Sequence, residues 1–173
     1  LTFYHASVTL LILGTYVEEH TVEELSIYTD GGCHGNPGIG GWAYIIVGPE
    51  GAESRAGVEA ETTNNKMELT GVIKALEAVR DRASRVSIHL KTDSQYVQKG
   101  ITEWIAGWEK NGWKTAGKKP VKNQELWKQL KTLADMFTIR WDWVQGHAGD
   151  KLNELCDTLV QTVIKQYKQD REK

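Results

Sequence analysis

Asp30, Glu68, Asp93 and Asp157 are the residues of this chain best suited to do chemistry together. Asp30 closes the apolar stretch "LSIYTD" and Asp93 closes "RVSIHLKTD", while Glu68 heads one amphipathic stretch and Asp157 flanks another. Each has a plain structural reading. Asp30 before glycine is a turn pair, Asp93 suits the N-cap of a helix starting at Ser94, and Asp157 suits the solvated flank of its helix. Asn65 with Glu68 three residues on reads as a variant capping box, the acid folding back onto a free backbone N–H. Brought together, four carboxylates would repel and raise one another's pKa, so they stay ionised mainly where cations neutralise them. Magnesium suits an all-oxygen site and keeps water and substrate phosphate as its remaining ligands. The chemistry expected of such a cluster is phosphodiester cleavage, with paired metal ions activating a water and stabilising the leaving oxygen.

The elements that must position these acids follow from the apolar pattern. "LSIYTDGG" and "GIGGWAYIIVG" read as strands, "SRAGVEA" as a weaker third, and the short turns between them favour an antiparallel meander. From Asn64 to about Ala83, Leu69, Val72, Ile73, Leu76 and Val79 form the stripe of an amphipathic helix, with Glu68 one turn before Val72 on the same side. A strand through Val86, Ile88 and Leu90 follows, then a helical region from Ser94 to Lys110 with breaks near Gly100 and Gly107. A helix from about Asn123 to Met136, a strand "TIRWDWVQG" and a helix from about Asp150 to Gln169 complete the chain. This order predicts an α/β fold with a mixed sheet. If the helix from Asn64 is a crossover, the first and fourth strands are neighbours, and their C-terminal ends form the kind of crevice where such sheets bind ligands.

A chain of 173 residues, 40% hydrophobic and 25% charged, suits one soluble domain with a full core. The net charge of −2 argues weakly against a nucleic-acid binder, yet "KNGWKTAGKKPVK", residues 110–122, holds five lysines and no acid. Without those five, 16 basic residues stand against 23 acidic ones, so one local positive patch sits on an acidic body. Cys33 and Cys156 match no metal or disulfide spacing and read as reduced thiols of a cytoplasmic protein. Residues 1–23 are an apolar extension, with a possible strand through "VTLLIL", and lack the basic start and cleavage site of a signal peptide. Neither secretion nor a membrane span is expected of it, and the tail is residues 170–173.

Five motifs in order, "YTDGGCHGNPGIGGW", "TTNNKMEL", "KTDSQYVQKGITEWI", "GWKTAGKKPVKNQELW" and "WVQGHAGDKLNELCD", resemble those of a bacterial-type ribonuclease H, type 1, from about Leu25 to Val163. The resemblance implies a ribonuclease H-like fold over residues 24–169: a mixed five-stranded sheet, its first three strands antiparallel, flanked by helices and carrying a basic protrusion. It implies a monomeric endonuclease that hydrolyses the RNA strand of an RNA–DNA hybrid, giving 3′-hydroxyl and 5′-phosphate ends. A catalytically silent hybrid-binding module of the same fold is the alternative, and a related nuclease acting on DNA is a second.

On this resemblance Asp30, Glu68, Asp93 and Asp157 hold two Mg²⁺ ions, with Mn²⁺ as substitute, and His147 in "GHAG" shuttles a proton or aids product release. A group titrating near neutral pH fits that task. Cys33, Asn36, Asn64, Asn65 and Gln95 would read the RNA 2′-hydroxyls, which need both donors and acceptors. Trp104, Trp108 and Trp113, with Lys114, Lys118, Lys119 and Lys122, would form the protrusion that meets the DNA strand. Thr63 and Asn123 would make a phosphate pocket, weakened by Glu61, which stands where many relatives carry arginine. Trp127, Trp141 and Trp143 are assigned to the core. Residues 1–24 are too short for the N-terminal hybrid-binding domain that some relatives carry.

Overall fold

Strong β-formers in β1 (Glu23–Gly35) and β2 (Gly38–Gly48) pair antiparallel, from Ser26 opposite Val47 to Gly35 opposite Gly38, in this computed structural model. The structure describes residues 22–146 and 149–172. The "VTLLIL" strand and His147 lie outside the described residues. β3 (Gly51–Thr62) extends the meander beyond the stretch expected and is an edge of the sheet.

The helix α1 (Asn64–Ala78) then crosses over to β4 (Val86–Thr92), which lies parallel to β1, and β5 (Thr138–Trp143) lies parallel to β4. The sheet order is β3-β2-β1-β4-β5. α1 ends five residues before the expected Ala83, and a short 3₁₀ turn, Arg80–Arg82, completes the connection. Its stripe Leu69, Val72, Ile73, Leu76 and Val79 is buried against Leu25, Ile27, Ile88 and Leu90 of the strands. α4 (Gln124–Ala134) adds Trp127, Leu130 and Leu133 to the same core.

On the opposite face, α5 (Lys151–Arg171) buries Cys156, Val160 and Ile164 against Tyr28, Ala43 and Ile45. Two layers of helix thus sandwich the sheet, and α5 covers the β1–β2–β3 side. Among the described residues no helix is long and apolar enough to cross a membrane.

Between β4 and α4 the chain runs as one helical stretch: α2 (Gln95–Lys99), a π-helical turn (Gly100–Trp104) and α3 (Ile105–Lys110). The irregularity at Gly100 agrees with the expected break, but Gly107 lies inside α3 without interrupting it. A Cβ on Gly100 would lie 2.0 Å from the Trp127 ring, so this glycine serves close packing as the helix changes pitch. Nothing stands within 4 Å of a Cβ on Gly107, so a solvated glycine is simply tolerated there.

Candidate active site

The register of the parallel pair places the first two acids. β1 and β4 run side by side from Glu23 opposite Val86 to Thr29 opposite Thr92, and the next residue along each chain is Asp30, still within β1, and Asp93, just past the end of β4. α1 brings the third. A Cβ on Gly31 would lie 2.2 Å from the Glu68 backbone nitrogen and 2.3 Å from the Met67 carbonyl carbon, so only glycine lets β1 touch the first turn of α1. Carboxylate oxygens of Asp30, Glu68 and Asp93 all lie within 4.8 Å of one another.

Glu68 does not close a capping box. Thr63 is the N-cap of α1, without a side-chain cap hydrogen bond, and the Glu68 carboxylate turns toward the other acids. Its Oε1 accepts a 3.3 Å hydrogen bond from Asn64 Nδ2, while Oε2 is buried with no hydrogen-bond partner among the described residues. Asp93 likewise leaves capping to Ser94, whose hydroxyl accepts from the Val97 N–H. Asp30 Oδ1 accepts from the Gly31 N–H at 2.7 Å.

Glu68 is only 8% exposed. Burial, and then the charges of Asp30 and Asp93, push its carboxyl well above the usual carboxylate range, against the Asn64 hydrogen bond that lowers it. Three crowded carboxylates with an unsatisfied buried oxygen, all of them hard oxygen donors, fit a divalent cation. Asp157 lies on α5, half-buried, outside this close group of three; its Oδ1 accepts from Gln161 Nε2 at 3.2 Å.

Asn153, one turn before Asp157, is a site residue that motif reading missed. Its Nδ2 donates to Asp93 Oδ2 at 3.3 Å, and it is 2% exposed with Oδ1 unpartnered among the described residues. A Cβ on Gly146 would stand 2.9 Å from the same Asp93 Oδ2, so the backbone at Gly146 lies directly against that carboxylate. The only sequence signal for Asn153 was a polar residue on the apolar stripe of α5.

The expected substrate residues fall into three places. Asn36, Thr63, Asn65, Lys122 and Asn123 line one open cleft of about 320 Å³, together with Lys66, which sequence reading did not single out. Glu61 is exposed on β3 and is not among the residues lining that cleft. Away from that cleft, Asn64 holds Glu68, Cys33 Sγ reaches the Thr62 carbonyl at 3.5 Å, and Gln95 is exposed at the start of α2.

Lys114, Lys118 and Lys119 are exposed on a loop closed by a bridge between Lys114 and Pro120. Its aromatic root is a cluster: Trp104, Trp108, Trp113, Trp127 and Tyr96 have neighbouring ring centroids 5.2–6.5 Å apart. Tyr96 Oη accepts from Trp127 Nε1 and from Asn123 Nδ2, tying the cleft to the loop. Trp127 and the half-buried Trp141 join the core as expected, but Trp143 does not. It is 43% exposed, and its indole N–H donates to the Asp93 carbonyl at 2.8 Å, bracing that acid's backbone.

Residues 22–165 match the sequence model of RNase H. The chain is 56% identical over 137 residues to a ribonuclease H of Phenylobacterium zucineum, covering 79% of this chain and 88% of that one. It is 49% identical over 149 residues to a ribonuclease H of Thiobacillus denitrificans, covering 86% and 99% of the two chains. Among solved structures it resembles LC9-RNase H1, described as a type 1 RNase H with the type 2 active-site motif, with a TM-score of 0.75 at 30% identity over 84% of this chain and 74% of that one. The sheet order, the grouped acids and these likenesses agree: the chain belongs to the RNase H family.

Proposed function

We propose that the chain is an endoribonuclease that hydrolyses the RNA strand of RNA–DNA hybrids, leaving 3′-hydroxyl and 5′-phosphate ends. The observation that carries this reading is the group of three carboxylates within 4.8 Å, one of them with an unsatisfied buried oxygen. Its high identity to chains named ribonuclease H supports the same activity.

Asp30, Glu68 and Asp93, with Asp157 from α5, would hold two Mg²⁺ ions, or Mn²⁺ in their place. When bound, the ions neutralise the carboxylates, supply an activated water and stabilise the leaving oxygen. The chain's own residues do the positioning. Asn64 and Asn153 orient Glu68 and Asp93, and Trp143 holds the backbone of Asp93. His147 carries a proton between the site and solvent.

Cys33, Asn36, Asn64, Asn65 and Gln95 read RNA through its 2′-hydroxyls. The cleft of Thr63 and Asn123 takes a phosphate of the DNA strand, and Lys66 and Lys122 supply the positive charge that Glu61 does not. Lys114, Lys118 and Lys119 meet further phosphates beside the tryptophans. The free thiols of Cys33 and Cys156 suit a monomer working in the reducing cytoplasm.

The test is degradation of the RNA in a hybrid with Mg²⁺, beside single-stranded RNA and both homoduplexes. Cleavage confined to the hybrid is expected. Binding without cleavage at any divalent-metal concentration would identify a silent binding module, and comparable cutting of duplex DNA would identify a DNA nuclease.

A further inference from the structure

We propose that Gln161 and His34 position Asp157 through a one-way chain of hydrogen bonds anchored at Lys168; this rests on the reading of Asp157 as a metal-holding acid. Lys168 Nζ lies 3.0 Å from His34 Nδ1, His34 Nε2 lies 2.8 Å from Gln161 Oε1, and Gln161 Nε2 lies 3.2 Å from Asp157 Oδ1. An ammonium only donates, so His34 Nδ1 must accept. The ring is therefore the neutral tautomer with its proton on Nε2, which donates to the Gln161 oxygen. That contact fixes which way the Gln161 amide faces, and its NH₂ is left to donate to Asp157. Each link forces the polarity of the next.

The placement gives the chain a purpose. Asp157 stands apart from the tight group of three acids, on a helix that packs against the opposite face of the sheet from α1. Among the described residues, Gln161 supplies the hydrogen bond to its carboxylate. With Oδ1 taken, Oδ2 is the oxygen left for a cation. Gln161 also lies over β1, its Nε2 3.8 Å from where a Cβ on Gly32 would stand. His34 sits between Cys33 and Asn36, so the strand end offered to the RNA backbone also helps hold the fourth acid. None of these three partners belongs to the acid set, and their contact crosses from the C-terminal end of β1 to the last helix.

The test compares the full-length wild type with Gln161→Glu, Gln161→Leu, His34→Leu and, as a control on an exposed part of α5, Lys165→Ala. Three quantities are read: Mn²⁺ binding to the hybrid-free protein by calorimetry, the Mg²⁺ concentration for half-maximal hybrid cleavage, and the metal-free melting temperature. Gln161→Glu keeps the side-chain length but turns a donor toward Asp157 into an acceptor. It should weaken Mn²⁺ binding and raise the Mg²⁺ requirement about tenfold, the low end for groups that orient metal ligands. Gln161→Leu should do nearly as much, His34→Leu less and Lys165→Ala nothing, all with an unchanged metal-free melting temperature.

Metal binding and Mg²⁺ requirement equal to wild type in both Gln161 variants would overturn the positioning role while leaving the nuclease reading intact. Weakened binding that comes only with a lowered metal-free melting temperature in both would also overturn it. A wild type that neither binds Mn²⁺ nor cleaves the hybrid would instead sink the nuclease reading itself.

Discussion

The acid cluster and the lysine-bearing loop are held in opposite ways. Asp30 lies inside β1 opposite Ala43, not at the strand-end turn expected of it, while Glu68 sits early in α1 and Asp93 just past β4; their spacing is set by strand register and one close strand–helix contact. The loop from Asn111 to Asn123 is mostly exposed, and three of its non-glycine residues lie in the left-handed region: Trp113 at φ 59°, Lys118 at 60° and Asn123 at 57°. Non-glycine backbone of that kind costs about 1 kcal/mol per residue. The cost is offset by hydrogen bonds across the loop and by the aromatic cluster at its root. The three acids are thus fixed by the framework, whereas the lysines proposed to face a phosphate backbone hang from it on a locally folded turn.

The sharpest way to break this comparison is Asp30→Asn. It should lower hybrid cleavage by about 1000-fold or more, since metal-ion charge stabilisation supplies several kcal/mol of the barrier. Hybrid binding, measured by fluorescence anisotropy, should survive because the loop and cleft are untouched; loss of folding would instead mark Asp30 as structural. Asn153→Ala comes next. It removes the donor to Asp93 and should cut kcat about tenfold with little change in KM. An unchanged kcat would show that Asp93 needs no such support.

On the other side of the comparison, Lys118→Ala with Lys119→Ala should leave kcat nearly intact and weaken binding. The slope of log binding constant against log salt should fall by roughly 1–2 units if both meet phosphates. An unchanged slope would remove the loop from the interface.

The smallest effect is on stability and its pH dependence. Burial and the neighbouring acids raise the Glu68 carboxyl above its ordinary value of 4.5, so the folded state prefers it protonated. Its stabilising contribution is therefore complete below 4.5 and is lost as pH rises through the folded-state value. Glu68→Gln should raise the metal-free melting temperature at neutral pH and flatten its decline from acid. Added Mg²⁺ should then stabilise the wild type more than the variant. Identical thermal profiles would mean that Glu68 carries no electrostatic strain.

Much of this was legible in the chain itself. Apolar runs marked β1 and β2, alternation marked β4 and the stripe from Leu69 to Val79 marked α1, because burial and periodicity are local signals, but the turn expected at Asp30 is instead strand that continues to Gly35. Contacts between distant residues were not. Even one helical turn apart, the sequence left open whether Glu68 folds back as a capping box or is held by Asn64, as it is. Nothing near Asn153 points to Asp93, 60 residues away. Trp143 was read as core because tryptophans usually are, yet β5 is an edge strand and leaves that ring half-open over Asp93. Gly100 and Gly107 look alike in sequence, and only the indole across from one of them gives the two glycines different tasks.

Gly31 has the furthest reach of any residue here that carries no chemistry. With only a hydrogen facing α1, it sets how near the helix-borne acid comes to the two strand-borne ones. Randomising the acids would alter their charge but leave the cage at its present width. Gly31→Ala, by pushing α1 and its Glu68 outward, would keep every acid but widen their spacing, and so loosen the hold on a small cation such as Mg²⁺ relative to the larger Ca²⁺. Competition between the two ions would read that width directly, and an unaltered preference would show that the first turn of the helix can yield without carrying its acid along.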